Sequence, residues 1–224
     1  RRSSDLDFLL KEVMPVVKKE NLAEFCDIFC EEGVFSVDES RQYLKKAREM
    51  GFKLKIHADE IVSLGGSELA GELKATSADH LLHASDAGIK AMAENGVVST
   101  LLPTTAFCLR EPFARAREMI DAGCAVALAT DFNPGSGFTF SVPLMLGLAV
   151  IYMHMTAEEA ITALTLNGAA AVGRADRIGS IEVGKQADLT ILQYPSYKFL
   201  PYHTGVNIVE KVIKKGELVH TASV

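Results

Sequence analysis

Three apolar runs of this 224-residue chain finish on ionisable side chains. Lys53-Leu54-Lys55-Ile56 leads into His57, Asp59 and Glu60, "ADHLLH" carries His80 and His83, and "CAVALATD" ends on Asp131. A histidine and an aspartate at the ends of separate strands would offer one imidazole and one carboxylate to a divalent ion such as zinc or iron. Two ligands do not complete a catalytic zinc site, which takes three from the protein and keeps a position for water, and the sequence contains no H-x-H pair. On spacing alone the plainer reading stays open: His57 as a hydrogen-bonded histidine at a strand end, and Asp131 as a cap on the loop "DFNPGS". His80 and His83 are three apart, so on a strand they face opposite sides and at most one looks into the same mouth. Which of them does is left open. His154, His203 and His220 read as structural or solvent-exposed. Lys53 and Lys55 fit the outer or entry side of their strand, and Asp59 receives no role.

The elements that must position these residues alternate. A helical stretch, "DLDFLLKEVMPVVKKE", precedes the apolar run "LAEFCDIFCEE"; the helix "SVDESRQYLKKAREMG", opening after Ser36 or Asp38 and closing on Gly51, precedes "FKLKIHADE". "SELAGELKAT" is helix-like and leads to "ADHLLHASD", then the helix "SDAGIKAMAENG" to "VVSTLLP", and the helix "PFARAREMIDAG" to "CAVALATDFNPGSG". Five strand candidates at βα spacing predict a parallel sheet with crossover helices, an α/β fold. No G-x-G-x-x-G follows any of them. Polar groups at the ends of different strands favour an arc of a (β/α)8 TIM-type barrel over an open dinucleotide-binding sheet. Beyond Ser141 comes "MTAEEAITALTLNGAAAVGR", a helix with Thr156 as N-cap, Glu159 completing a capping box, and Gly173 as its stop. "IGSIEVGKQADLTILQYP" and "NIVEKVIKKGELVH" are short alternating runs with Gly184 and Gly216 at turns. The expected organisation is a partial barrel over 1–177 and part of a small β-sandwich appendage over 178–224, without catalytic residues of its own.

Composition narrows the function classes. Hydrophobic residues make up 48% and charged residues 23%, ordinary for a globular protein, and a net charge of −6 with scattered basic residues argues against a nucleic-acid or anionic-membrane surface. The longest strongly apolar run, "VPLMLGLAVIYMHM", is shorter than the roughly 20 residues of a spanning helix. No secretory leader pattern opens the chain. Cys26, Cys30, Cys108 and Cys124 form no C-x-x-C pair and read as reduced core thiols of a cytoplasmic protein, with Cys26 and Cys30 on one face. A small molecule is the expected partner.

"KIHADE", "SADHL", "ALATDFNPGS", "ALTLNGAAAVG" and "IGSIEVGKQADLTIL" resemble the C-terminal part of the metal-dependent amidohydrolase superfamily and, within it, of the imidazolonepropionases. The last two segments are general to the superfamily; "HADE" with "TDFNPGS" is more specific. The resemblance implies a cytosolic hydrolase of histidine degradation that opens the cyclic amide of 4-imidazolone-5-propanoate to N-formimidoyl-L-glutamate, with one metal ion, zinc or iron, in a homodimer. It makes His57 and Asp131 metal ligands, Glu60 a catalytic group contacting the substrate ring, and His80 the metal-proximal histidine. Asn133 and Gly135 fall where the family contacts product, and Ser136 where it contacts substrate. The family's first strands, one with an H-x-H pair, have no counterpart in this sequence, so the chain is expected to be an incomplete part of the enzyme and inactive alone. Two rivals stand beside this reading: another amidohydrolase, such as a cytosine-type deaminase or a chlorohydrolase-like enzyme, and a metal-free fragment that binds a partner.

Overall fold

The computed structural model describes residues 2–222; Arg1, Ser223 and Val224, which the two expected domains include, lie outside the described residues. The chain forms two compact units, one running to Thr100 and including Glu118–Ala125, the other comprising Leu101–Arg117 and the residues from Val126 onward.

The first unit is built on a parallel sheet. β1 (Phe25–Cys26) and β2 (Phe29–Cys30) both pair with β3 (Lys53–Ala58), β3 pairs with β4 (Ser77–His80), and β4 pairs with β5 (Val98–Leu101). Phe25 lies opposite Lys53 and Phe29 opposite His57, the same 28-residue offset, so β1 and β2 are two ends of one strand in unbroken register. Between them the His57 N–H donates to Ile28 O at 2.9 Å. Alternation then fixes two faces. Cys26, Ile28, Cys30, Leu54, Ile56 and Ala58 are buried on one. Phe25, Asp27, Phe29, Lys53, Lys55 and His57 share the other, beside Ser77 and Asp79.

That placement corrects the expectation for the lysines: Lys53 and Lys55 stand on the face of His57. The physical reason is the company on neighbouring strands. The Lys53 ammonium lies 5.5 Å from the Phe25 ring centre, Lys55 is 3.6 Å from the Asp79 carboxylate, and Ser77 Oγ accepts from Lys55 while donating to Asp79 at 2.8 Å. A lysine that meets a carboxylate and a hydroxyl on the next strand loses most of the penalty of turning inward.

Helices with strong caps cover the buried face. Val37–Glu49 opens on Ser36, whose capping box with Glu39 is complete. Asp86–Asn95 opens on Ser85 and closes on Gly96 at φ 67°. Between them, Gly66–Glu72 packs so closely that a Cβ on Gly66 would stand 2.7 Å from Ala58 Cβ, and one on Gly71 2.7 Å from the Ala91 backbone. Glycine is required for both approaches.

In the second unit, Pro103–Leu109 is a helix, in a stretch left unassigned beyond the strand candidate "VVSTLLP". The helix expected over "PFARAREMIDAG" is confined to Ala116–Asp121, of which the residues from Glu118 onward belong to the first unit. β6 (Val126–Leu128) is held by Asn167, whose Nδ2 donates to Val126 O at 2.8 Å from the π-helical turn Ala163–Asn167. Thr156 and Glu159 form the expected capping box, and the apolar run 142–151 is a helix opened by Ser141. The chain ends in an antiparallel sheet of β7 (Leu189–Leu192), β8 (Val209–Lys214) and β9 (Glu217–Thr221). Lys215 and Gly216, both at positive φ, form the two-residue β8–β9 turn. None of the described helices is long and apolar enough to cross a membrane.

Candidate active site

β3 and β4 end side by side, with Ala58 opposite His80 in the ladder, and their ends bring His57, Glu60 and His80 together. The His57 and His80 ring centres are 5.2 Å apart, and His80 Nδ1 lies 3.4 Å from Glu60 Oε1. His80 is 4% exposed. His80 and Leu81 are both left-handed, at φ 77° and 63°, a strain of about 1–3 kcal/mol each for non-glycine residues. The turn is held by Leu81 N–H on Ala58 O at 3.1 Å and His83 N–H on Asp59 O at 2.9 Å. β4 therefore stops at His80, and His83 lies beyond it in a turn, outside the alternation assumed from the sequence.

Two buried carboxylates that sequence reasoning missed build the segment carrying Glu60. Asp59, fully buried, accepts at Oδ1 from the N–H groups of Leu64, Gly65 and Gly66 (3.0, 3.0 and 3.1 Å), and at Oδ2 from Ser67 N (2.9 Å) and Ser67 Oγ (2.5 Å). It thus caps the helix Gly66–Glu72 from outside it, with its charge at the positive end of the helix dipole. Glu31, 1% exposed, accepts at Oε2 from the N–H groups of Glu60 and Ile61, both at 2.9 Å, and at Oε1 from its neighbour Glu32 at 2.8 Å. The run Gly65-Gly66-Ser67, whose backbone approaches an anion without side-chain obstruction, was the available signal for Asp59. Nothing local marks Glu31.

His57 has a carboxylate of its own. Its Nδ1 is 2.7 Å from Asp27 Oδ2, and the Phe29 ring meets it edge-on with centres 5.9 Å apart. The thiols have a different character: burial pushes Cys26, Cys30 and Cys124 up from the ordinary thiol range, which makes them packing groups rather than nucleophiles.

Within the second unit, Asp131 is left-handed at φ 50°, and its Oδ2 accepts from Thr105 Oγ1 at 2.7 Å. Thr104 Oγ1 donates to Thr130 O at 2.5 Å, so consecutive threonines of one helix grip consecutive residues of the loop. Asn133 is the centre of that loop. Its Oδ1 accepts from Gly135 N (2.7 Å) and Ser136 N (2.8 Å), while its Nδ2 donates to Asp131 O (2.8 Å) and Ser136 Oγ (3.1 Å). A Cβ on Gly137 would overlap Asp131 O. Asn133, Gly135 and Ser136 are thereby brought together, bonded to one another and to the backbone of Asp131.

Among the described residues no group of three or more His, Cys, Asp or Glu side chains is placed to hold a metal ion. The donor chemistry still fits one. A histidine whose Nδ1 faces a carboxylate is the usual form of a metal-ligating imidazole, because the outer partner fixes the ring and directs the Nε2 lone pair.

The amidohydrolase family model matches residues 29–219. The chain belongs to the amidohydrolase family. An imidazolonepropionase from Clostridium tetani is 70% identical over 100% of this chain and 53% of its own length, and one from Parabacteroides distasonis is 63% identical over 97% and 52%. The chain thus spans about half the length of these curated relatives. Among solved structures, an adenosine deaminase from Xanthomonas campestris with bound zinc shares the amidohydrolase fold at TM-score 0.70 and 24% identity, over 83% of this chain and 49% of that one.

Proposed function

We propose that this chain forms part of a metal-dependent hydrolase that opens the cyclic amide of 4-imidazolone-5-propanoate to N-formimidoyl-L-glutamate. The observation that carries the reading is the cluster of His57, Glu60 and His80 at the ends of two neighbouring parallel strands, in a chain 70% identical to an imidazolonepropionase. The parallel sheet is read as part of a (β/α)8 barrel and the three-stranded sheet as part of a β-sandwich domain, with the domains divided near residue 177. The working enzyme is read as a cytoplasmic homodimer.

His57 through Nε2 and Asp131 through its carboxylate are the ligands this chain would give to one zinc or iron ion. When bound, such an ion acidifies water and polarises a carbonyl. The protein's own groups do the rest. Asp131 takes the proton of the attacking water, and Thr105 holds its other oxygen still. His80 donates to the oxyanion that develops on the attacked carbonyl. Glu60 carries a proton to the ring nitrogen as the C–N bond breaks, with its backbone tethered to Glu31. Asn133, Gly135 and Ser136 form the wall against the propanoate end of substrate and product.

The test joins this chain to the upstream half of the Clostridium tetani relative and follows substrate loss, formimidoyl-glutamate formation and ammonia. Ring opening without ammonia, abolished by a chelator and absent from the 224-residue chain alone, is expected. Ammonia release with the ring intact would establish a deaminase instead. Indifference to the chelator, with no turnover, would indicate a binding module.

A further inference from the structure

We infer that Glu31 is a positioning residue for Glu60: its buried carboxylate fixes the two peptide planes that flank the Glu60 Cα and so sets the direction in which that side chain leaves the backbone. The catalytic consequence rests on the function proposed above; the backbone geometry does not. Glu31 Oε2 accepts from the N–H of Glu60 and from the N–H of Ile61, both at 2.9 Å. The first N–H belongs to the peptide that enters Glu60, the second to the peptide that leaves it. With both planes held on one oxygen, φ and ψ of Glu60 are set together and the Cβ direction follows from them. The residue before it is held as well. Asp59 is left-handed at φ 50°, and its carbonyl accepts from His83 N–H at 2.9 Å.

Glu31 is itself rigidly mounted. Its N–H donates to Phe35 O and its carbonyl accepts from Val34 N–H, both at 3.0 Å, in a turn through Gly33 at φ 79°, and its Oε1 accepts from Glu32 N–H at 2.8 Å. The place is an unfavourable one for a charge. Glu31 is 1% exposed, whereas its donors belong to the half-buried Glu60 and to the exposed Ile61 and Glu32, whose N–H groups water could serve. A carboxylate withdrawn from water to bond such donors adds little net stability. What it adds is one fixed geometry at the residue that meets the substrate ring.

The experiment compares Glu31→Met, similar in volume and without an acceptor, with Glu31→Gln, which keeps an oxygen toward both amides. In the 224-residue chain, hydrogen exchange at the Glu60 and Ile61 amides is expected to be slow, faster in Glu31→Gln and fastest in Glu31→Met. In the joined enzyme, this chain with the upstream half of the Clostridium tetani relative, Glu31→Met is expected to lower kcat about 10–100-fold at little-changed KM, because Glu60 moves its proton in the transition state. Glu31→Gln should fall between that variant and the native enzyme. In a Glu60→Gln background neither substitution should lower kcat further, a result that a general loss of stability would not give. Native amides at 60 and 61 that exchange as fast as those of Glu31→Met, a native kcat in Glu31→Met, or the same fractional fall behind Glu60→Gln overturns the inference. If Glu31→Met does not fold, Glu31→Gln carries each comparison. Exchange that responds to Glu31, with no turnover in any joined enzyme, would support the placement of Glu60 and count against the hydrolase reading.

Discussion

Removing the Asp59 carboxylate is the sharpest test of how the site is held. Five donors converge on it, four backbone N–H groups and the Ser67 hydroxyl. In Asp59→Ala the N–H groups of Leu64 and Gly65 can turn to water, because these residues are partly exposed. Those of Gly66 and Ser67 cannot, since both residues are buried. Each buried donor left without a partner costs about 1–3 kcal/mol. The cap on the helix Gly66–Glu72 is lost as well, about 1 kcal/mol. The expected loss is therefore about 3–7 kcal/mol, a large part of the roughly 5–15 kcal/mol that holds a typical domain. Asp59→Asn keeps an oxygen toward the three Oδ1 donors and sets an amide against the Ser67 N–H, so it should lose about half as much. Urea unfolding followed by circular dichroism reads both, at unchanged m-value. A loss below about 1 kcal/mol in Asp59→Ala would refute the assignment of this carboxylate as the anchor of the loop.

Glu31→Gln keeps one acceptor oxygen for the Glu60 and Ile61 amides but turns a donor toward Glu32 N–H; a loss of about 1–3 kcal/mol is expected, with faster hydrogen exchange at 60 and 61. Gly137→Ala drives a methyl into Asp131 O and is expected to cost about 1–3 kcal/mol and to release the Thr105–Asp131 hydrogen bond, visible as loss of a slowly exchanging Thr105 hydroxyl. The Arg117 guanidinium holds the Glu159 carboxyl below its ordinary range. A depressed folded pKa means the contribution is complete above the unfolded value and disappears as the pH falls through the folded one. Glu159→Gln, which keeps an oxygen for the Thr156 N–H of the capping box, should thus cost about 1 kcal/mol at neutral pH through the lost ion pair with Arg117, and almost nothing once acid has protonated the native carboxylate.

The helices were legible wherever their ends carried local chemistry. Ser36 with Glu39, Ser85 and Thr156 with Glu159 each announce a start within four residues, and Gly51, Gly96 and Gly173, all left-handed, announce a stop. Pro103–Leu109 was hidden because "VVSTLLP" runs apolar into it and Thr104 and Thr105 are β-branched; only the proline at its first position marked it. His57, Glu60 and His80 were found through residue type at strand ends. What lay outside reach was everything depending on a partner far along the chain. Lys55 was left on the outer or entry side because its Asp79 partner is visible only once β3 and β4 are in register. Asp59 had no assignable role because four of its five donors are backbone amides, which the run Gly65-Gly66-Ser67 marks only indirectly.

The same limit explains why the strand at 25–31 went unread as part of the site. Its odd positions do three jobs at the end of β3: Asp27 sets a carboxylate oxygen 2.7 Å from His57 Nδ1, Phe29 meets the ring's edge, and Glu31 ties the backbone of Glu60 and Ile61. These jobs depend on one register, in which 25 faces 53 and 29 faces 57. A shift by one residue would send Cys26, Ile28 and Cys30 to the polar face and the two carboxylates under the helices, an exchange the core would resist strongly. Burial of the even positions therefore specifies the register, and the register aims the odd ones. The precision of the cleft is in this sense a by-product of the apolar half of the strand, which is why the apolar pattern of "FCDIFCEE" bears on chemistry that its polar residues perform.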